Sequence, residues 1–368
     1  MNKAASLYID VLRLVAALVV FVVHAHYLLP GSLPGLWRLA SLGGEAVTVF
    51  FVLSGFVIAH VVETREKHAS DYLASRFARL YSVVLPALAL TALLELAGAA
   101  LAPRAYANSL EQVAGFPASL LFVNELWFTS RPPPSNTPFW SLGYEFWYYL
   151  IYAAQRYMPG RRARWAAVAG LGLLCGPKIL LLLPVWQLGV LAYAIVDSKR
   201  LRPGMVAALC ALASAAGLYL LVASGAKAQW HAATSAMLGP TALDLGPSGH
   251  VLYTYAFGLL TTIHLVAMVT LAPLFGHLWR LGEHAIRISS AQTFAIYLFH
   301  YPLLKFLVAV TASVGALRGP VVITLTLLVI ASLGSASDRL KPGLKRWFRA
   351  RLTALAGGGW FRLTRKWI

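Results

Sequence analysis

Residues 10–27 read DVLRLVAALVVFVVHAHY, a run that is long and apolar enough to cross a bilayer yet contains Arg13 and His24. An α-helix turns about 100° per residue, so His24 returns to within about 20° of Arg13, roughly 16 Å further along the axis. Asp10 lies about 60° from Arg13 on the same side. An ionisable group at the centre of a membrane helix costs at least about 2.5–3.5 kcal/mol and usually faces a protein interior or a wet cavity. The stretch therefore predicts a membrane helix with one functional polar face; the alternative is that Arg13 and His24 snorkel to opposite surfaces.

The composition predicts an all-α, polytopic membrane protein. Of the 368 residues, 59% are hydrophobic and only 12% are charged, whereas soluble domains have about 25% charged residues. The net charge of +18 is better explained by basic cytoplasmic loops that face anionic membrane lipids than by nucleic acid, which is not an expected partner. Cys175 and Cys210 lie in apolar runs and are interpreted as core residues, so no metal site is expected.

Segments of about 20 apolar residues between polar breaks predict about ten transmembrane helices, among them 140–157 and the short 165–175. With the amino terminus in the cytoplasm, most lysines and arginines fall on inward segments. The outward loops then hold Arg38, Arg104, Arg131, Lys178, Lys227 and Arg318. This asymmetry follows the positive-inside rule and predicts that both termini are cytoplasmic. The predicted domains are a membrane domain at 1–337 and a basic amphipathic tail at 338–368 that lies on the inner membrane surface.

Two predicted outer loops are long enough to cover a site that opens outward, although such loops can also be plain connectors. The loop at 102–139 contains RPPPSNTP, whose prolines stiffen the chain and exclude helix. The loop at 225–250 contains Trp230 and His231. Glu45 is expected near the outer end of the second span, and the Ser54–Gly55 pair later in that span favours close helix packing.

Arg76 and Arg79 lie one helical turn apart at the predicted cytoplasmic end of the third span. Two guanidinium groups at this spacing can hold one phosphate or diphosphate. An equally weighted alternative is that the two arginines only follow the positive-inside rule for cytoplasmic ends of spans and bind no ligand.

Two later spans also carry polar residues. Glu145 lies in an aromatic span with Ser141 one turn before it, and a buried carboxylate must be paired, hydrogen-bonded or protonated. A satisfied structural pair, such as one with Arg13, is the simpler interpretation of Glu145. His300 follows Tyr297 by three residues on one helical face, and it is more often a hydrogen-bonded residue at a span end than a catalyst.

Five stretches, in order, resemble the membrane-bound acyltransferase-3 family, bacterial O-acyltransferases that act on cell-surface sugars. The matching residues are Arg13 and His24 with ten residues between them; FFVLSGF at 50–56; Arg76 and Arg79; Trp140, Ser141, Leu142 and Glu145; and Tyr297, Leu298, His300 and Pro302. The chain departs from the family pattern at Thr48, where an aspartate is common, and at Thr293 and Phe294, where serine and tyrosine are frequent.

The resemblance implies that an acyl group, often acetyl, moves from cytoplasmic acyl-CoA to a hydroxyl of a cell-surface or exported glycan or glycolipid. Acyl-CoA would be a co-substrate, and no permanently bound cofactor is expected. The implied location is the bacterial inner membrane. Many relatives carry an additional extracytoplasmic domain, so this membrane module is expected to work alone or with separate glycan-assembly proteins.

The same resemblance implies roles for individual residues. Arg76 and Arg79 would hold the donor phosphates, and Arg13 would steady the pantetheine arm or the thioester oxygen. His24 would act as general base or as a transient acyl acceptor. Glu145 would orient His24 or balance Arg13. Substrate or structural support would come from Ser141, Tyr297 and His300.

Two other functional classes remain open from the residues alone. A transporter or flippase for an anionic lipid or sugar would also explain Arg13, His24 and Glu145, as groups along a path. A structural or regulatory membrane scaffold is a third possibility, but it leaves the buried charges unexplained.

Overall fold

The computed structural model describes residues 1–31, 35–107, 112–239, 244–276 and 282–355. Over these ranges the chain is α-helical with short 3₁₀ turns and contains no β-strand. It divides into two compact units. Unit 1 comprises Met1–Val61 and Pro177–Thr293, and unit 2 comprises Val62–Gly176 and Phe294–Ile368.

Thirteen α-helices lie within the described ranges. They are α1 (Lys3–Leu28), α2 (Gly43–Thr64), α3 (Ala69–Leu101), α4 (Gly115–Leu120), α5 (Trp140–Tyr157), α6 (Arg161–Cys175), α7 (Pro177–Asp197), α8 (Met205–Ala223), α9 (Ala226–Leu238), α10 (Val251–Leu271), α11 (Glu283–Ala291), α12 (Thr293–Val310) and α13 (Arg318–Leu355).

Eight of these described helices, namely α1, α2, α3, α7, α8, α10, α12 and α13, are long and apolar enough to cross a membrane. The prediction of an all-α, polytopic membrane protein is therefore confirmed. The two other predicted spans are also helical: α5 has 18 residues and α6 has 15. Neither is both long and apolar enough to be counted with the eight, so the total of about ten spans and the cytoplasmic termini stay predictions.

In unit 1, α10 packs on α7 and α8, and α1 packs on α10 and α11. The α2–α7 contact is built from main chain. A Cβ at Gly55 would overlap the Trp186 carbonyl oxygen, and a Cβ at Gly189 would overlap the Val52 carbonyl oxygen. The Trp186 indole N–H donates to Ser54 Oγ at 3.2 Å. The Ser54–Gly55 pair of the FFVLSGF stretch is thus a packing notch, as its small residues predict.

In unit 2, the 33-residue helix α3 packs on α5 and α13. Helix α13 continues through residue 338 to Leu355, so the described part of the predicted tail is an extension of a helix. Phe348 packs on the Phe77 ring with centroids 5.5 Å apart, and Arg349 Nε lies 2.8 Å from Asp71 Oδ1. Helix α3 therefore holds the first part of the tail; residues 356–368 lie outside the described residues.

Candidate functional site

Helix α1 presents Asp10, Arg13 and His24 as half-buried side chains in unit 1. The His24 ring is hydrogen-bonded to the backbone of Val20, one turn earlier. Asp10 Oδ2 accepts from Arg287 Nη1 of α11 at 2.8 Å. Arg287 is thus a partner of this face that the sequence did not reveal, because 277 residues separate it from Asp10.

The end of α1 that carries His24 lies beside the start of α2, since a Cβ at Gly43 would contact Val23 Cγ1 at 3.4 Å. Glu45, in the first turn of α2, is buried and pairs with Lys227 Nζ at 3.1 Å. Unit 1 therefore has a buried carboxylate, paired with a lysine, in the first turn of the helix that begins beside Val23.

The segment from 225 to 250 contributes a histidine pair to the same unit. Residues 226–238 form helix α9, so much of this predicted loop is regular. The His231 and His250 rings lie 4.2 Å apart between centroids, and His231 Nδ1 donates to the Gly249 carbonyl at 3.2 Å. Spacing along the chain gave no sign of this pairing.

In unit 2, α5 and α12 are joined by direct hydrogen bonds. Tyr297 Oη donates to the Pro138 carbonyl at 3.1 Å and accepts from Ser141 Oγ at 2.7 Å. Asn136 Nδ2 donates to the Leu298 carbonyl at 3.1 Å. All of these side chains are buried. Two of the predicted support residues, Ser141 and Tyr297, are therefore in contact.

His300 is fully buried on α12. Its Nδ1 lies 2.8 Å from the Ile296 carbonyl oxygen, and because a carbonyl can only accept, Nδ1 carries the proton. The His300 and Tyr297 rings lie 6.4 Å apart between centroids, so both residues belong to one polar cluster with Ser141.

Glu145 lies one turn before Tyr149 on α5, and Tyr149 Oη donates to Glu145 Oε1. Tyr149 also interacts electrostatically with Arg79 and Arg76. Glu145 belongs to unit 2, whereas Arg13 and His24 belong to unit 1. The predicted pairing of Glu145 with Arg13 or His24 therefore stays a prediction.

Arg76 and Arg79 have different environments although they lie one turn apart. Arg76 is buried, and its Nη2 lies 2.8 Å from both carboxylate oxygens of Glu66. Arg79 is half-buried and lies over the Phe294 ring, 5.8 Å from its centroid. Across the part of the chain that the structure describes, no carboxylate pairs with Arg79. Only one of the two predicted phosphate ligands thus keeps its charge unpaired.

The family model described as an acyltransferase domain matches residues 6–336, which include all five motif stretches. The chain belongs to the acyltransferase-3 family. The O-acetyl transferase of Shigella phage Sf6 is 40% identical over 83 residues, 22% of this chain and 24% of that relative. Acyltransferase MdmB of Streptomyces mycarofaciens is 32% identical over 155 residues, 39% of this chain and 38% of that relative. The chain thus matches less than two thirds of the length of either relative. No solved structure matches it significantly.

The structure arranges the acyltransferase-3 motifs by unit. The Arg13–His24 motif and FFVLSGF lie in unit 1, whereas the paired arginines, the Ser141–Glu145 stretch and the Tyr297–His300 stretch lie in unit 2. Within unit 2, the last two motifs contact each other through Ser141 and Tyr297. Glu66 was missed by sequence reasoning because it precedes α3 and nothing in its spacing marks it as the partner of Arg76.

Proposed function

We propose that this protein transfers an acyl group, with acetyl as the first to test, from acyl-CoA to a hydroxyl of a cell-surface or exported glycan. The observation that carries the proposal is the family match over residues 6–336. The name of the phage relative, an O-acetyl transferase, supports acetyl as the group. The proposed location is the bacterial cytoplasmic membrane, because eight described helices can cross a bilayer.

In the proposed reaction, His24 takes the proton of the acceptor hydroxyl as its oxygen bonds to the acyl carbon. The carbon–sulfur bond to CoA then breaks, and the thiolate leaves and takes up a proton. Arg13, on the same side of α1, balances the negative charge that develops on the thioester oxygen. The hydrogen bond to the Val20 backbone supports this role, because it fixes the orientation of the His24 ring.

On the donor side, we assign the phosphate contact to Arg79. The Arg76 guanidinium is neutralised by Glu66 at 2.8 Å, whereas no described carboxylate pairs with Arg79. Arg76 then has a supporting role, because its ion pair holds the start of α3 and so the position of Arg79.

The decisive experiment compares His24→Ala with His26→Ala. His26 lies on the same helix, two residues away, and points about 200° from His24, so it is a matched control. With purified protein, labelled acetyl-CoA and the glycan acceptor, His24→Ala should lower turnover roughly 10²–10⁴-fold, the contribution of a general base. His26→Ala should retain activity. Equal activity of the two variants would exclude His24 as the base.

A donor experiment tests the other half of the proposal. Arg79→Gln should raise the apparent KM for acyl-CoA at nearly unchanged KM for the acceptor. A change in turnover alone would contradict phosphate binding by Arg79. Mass spectrometry of glycans from cells with and without the gene should show an acyl mass that depends on the protein. Glycan export that proceeds without any acyl donor would instead support a transporter.

A further inference from the structure

Unit 2 contains a polar cavity between the end of α3 and α12. Its volume is about 350 Å³, and its lining includes Arg104, Tyr106, Gln112, Pro134 and Lys305. This volume is at the lower end of the range of about 300–1,000 Å³ that small-molecule sites occupy. Arg104 and Gln112 are exposed, whereas Tyr106 is buried. The cavity thus combines charged groups that a ligand can reach with a buried phenol.

Lys305 is held in place by three neighbours. Its Nζ donates to Ser135 Oγ at 2.6 Å and lies 3.9 Å from Glu95 Oε1. It also lies 4.2 Å from the centroid of the Tyr106 ring. Ser135 in turn donates to Glu95 Oε1. The ammonium group is therefore preorganised at the cavity wall rather than left on a mobile side chain.

Tyr106 is positioned just as firmly. Its ring packs directly on Gly98 of α3, where an added Cβ would overlap the ring. The Tyr106 hydroxyl and Glu95 Oε2 are both buried and have no hydrogen-bond partner among the described residues. Burial and the nearby Glu95 carboxylate raise the pKa of Tyr106, so the phenol keeps its proton at neutral pH and can donate. Buried polar groups in proteins are normally paired, so two unpaired ones beside a cavity point to a ligand.

We propose that this cavity binds a hydroxyl-bearing anion, namely a sugar acid or sugar phosphate. Arg104 and Lys305 supply two positive charges against the single carboxylate of Glu95, so the site favours one negative charge. The amide of Gln112 and the Tyr106 hydroxyl provide the donors and acceptors that sugar hydroxyls need. None of these residues belongs to the family motifs, so the proposal does not rest on the roles assigned to His24 and Arg79.

Binding is tested with the full chain in phosphatidylcholine nanodiscs, by calorimetry and without acyl-CoA. The probes are glucuronate, glucose 1-phosphate, glucose and inorganic phosphate. Glucuronate and glucose 1-phosphate should bind at least about tenfold more tightly than glucose, because charge-assisted hydrogen bonds are roughly twice as strong as neutral ones. Equal affinity for neutral and anionic sugars would overturn the proposal, and so would phosphate binding as tightly as glucose 1-phosphate.

Substitutions in the cavity lining test whether the ligand binds in this cavity. Arg104→Gln should weaken binding of glucose 1-phosphate at least about tenfold. Arg131 is also exposed and lies between α3 and α5 in the chain, but it is outside the cavity lining, so Arg131→Gln should leave binding unchanged. Lys305→Gln is combined with Glu95→Gln, because the single variant would leave the Glu95 carboxylate buried without its cation and could prevent folding. This double variant should also lose binding. Equal affinities of the Arg104 and Arg131 variants would place the ligand elsewhere.

A lipid headgroup could offer the same chemistry as a sugar phosphate, and changing the lipid composition of the nanodiscs distinguishes the two ligands. Phosphatidylglycerol carries one phosphate and free hydroxyls. If adding it to the nanodiscs abolishes binding of glucose 1-phosphate, the occupant is a lipid and the sugar assignment fails. Unchanged binding supports the sugar.

Discussion

A buried carboxylate lies opposite a cation near each end of α3, but only one of the two pairs is complete. Near the start, Arg76 bonds both oxygens of Glu66 at 2.8 Å, and both side chains are buried. Near the end, Lys305 lies 3.9 Å from Glu95, Ser135 bridges the two groups, and Glu95 Oε2 has no partner among the described residues.

The difference separates charges that hold the protein together from charges that can meet a ligand. In a complete buried pair, the charges satisfy each other, and removing one of them leaves the other stranded. An incomplete pair beside a cavity retains hydrogen-bonding capacity for something else. Arg76 and Arg79 illustrate the same contrast one turn apart, since only Arg79 lacks a carboxylate partner in the described chain.

The largest effect is expected from breaking the complete pair. Arg76→Met should lower the free energy of unfolding by about 3–5 kcal/mol, because Glu66 would be left buried and unpaired. Unfolding in detergent, followed by circular dichroism, measures this loss. The double variant Arg76→Met with Glu66→Leu should recover most of it. A single variant as stable as the parent would mean that the pair is not buried in solution.

Breaking the incomplete pair should cost less. Lys305→Met should lower the free energy of unfolding by about 1–3 kcal/mol, because Ser135 still donates to Glu95. The same unfolding assay applies. If this loss equals or exceeds that of Arg76→Met, the ion pairs at the two ends of α3 do not differ in their contribution to stability.

The cavity wall can be changed without altering any charge. Gly98→Ala should cost about 1–2 kcal/mol, because the new methyl group would displace the Tyr106 ring. Gly170→Ala in α6 is the matched control: its Cβ would meet nothing within 4 Å, so the helix should gain up to about 1 kcal/mol. Similar effects of the two substitutions would show that Tyr106 does not pack on α3.

The smallest effect on stability is expected at Arg79. Arg79→Gln breaks no ion pair among the described residues, and its cation–π contact with Phe294 is worth about 0.5–1 kcal/mol. The melting temperature should therefore barely change, while the apparent KM for acyl-CoA rises as proposed above. A destabilisation as large as that of Arg76→Met would assign Arg79 a structural role.

The helices could be predicted because hydropathy and length act locally. Helix α1, at Lys3–Leu28, contains the whole apolar run at 10–27 that predicted it, and the packing role of Ser54 and Gly55 follows from their size. The extension of α3 and α13 beyond the apolar segments was not predicted. It depends on contacts such as Arg349 with Asp71, which join residues far apart in the chain.

The candidate site could be predicted as a set of residues but not as a set of contacts. Buried polar groups in apolar helices marked Arg13, His24 and Glu145, because each is costly without a role. Their partners are long-range, as with Asp10 and Arg287 or Ser141 and Tyr297. Local patterns carry no information about such pairs.

The close α2–α7 contact, in which Gly55 packs on Trp186 and Gly189 packs on Val52, has a genetic consequence. Each glycine faces a main-chain carbonyl of the other helix, and every amino acid carries that carbonyl. If either glycine is replaced by a larger residue, no substitution of the residue that it contacts can remove the clash, because the clashing atom belongs to the main chain. In a saturation library, we expect neither site to yield second-site suppressors among the residues that it touches.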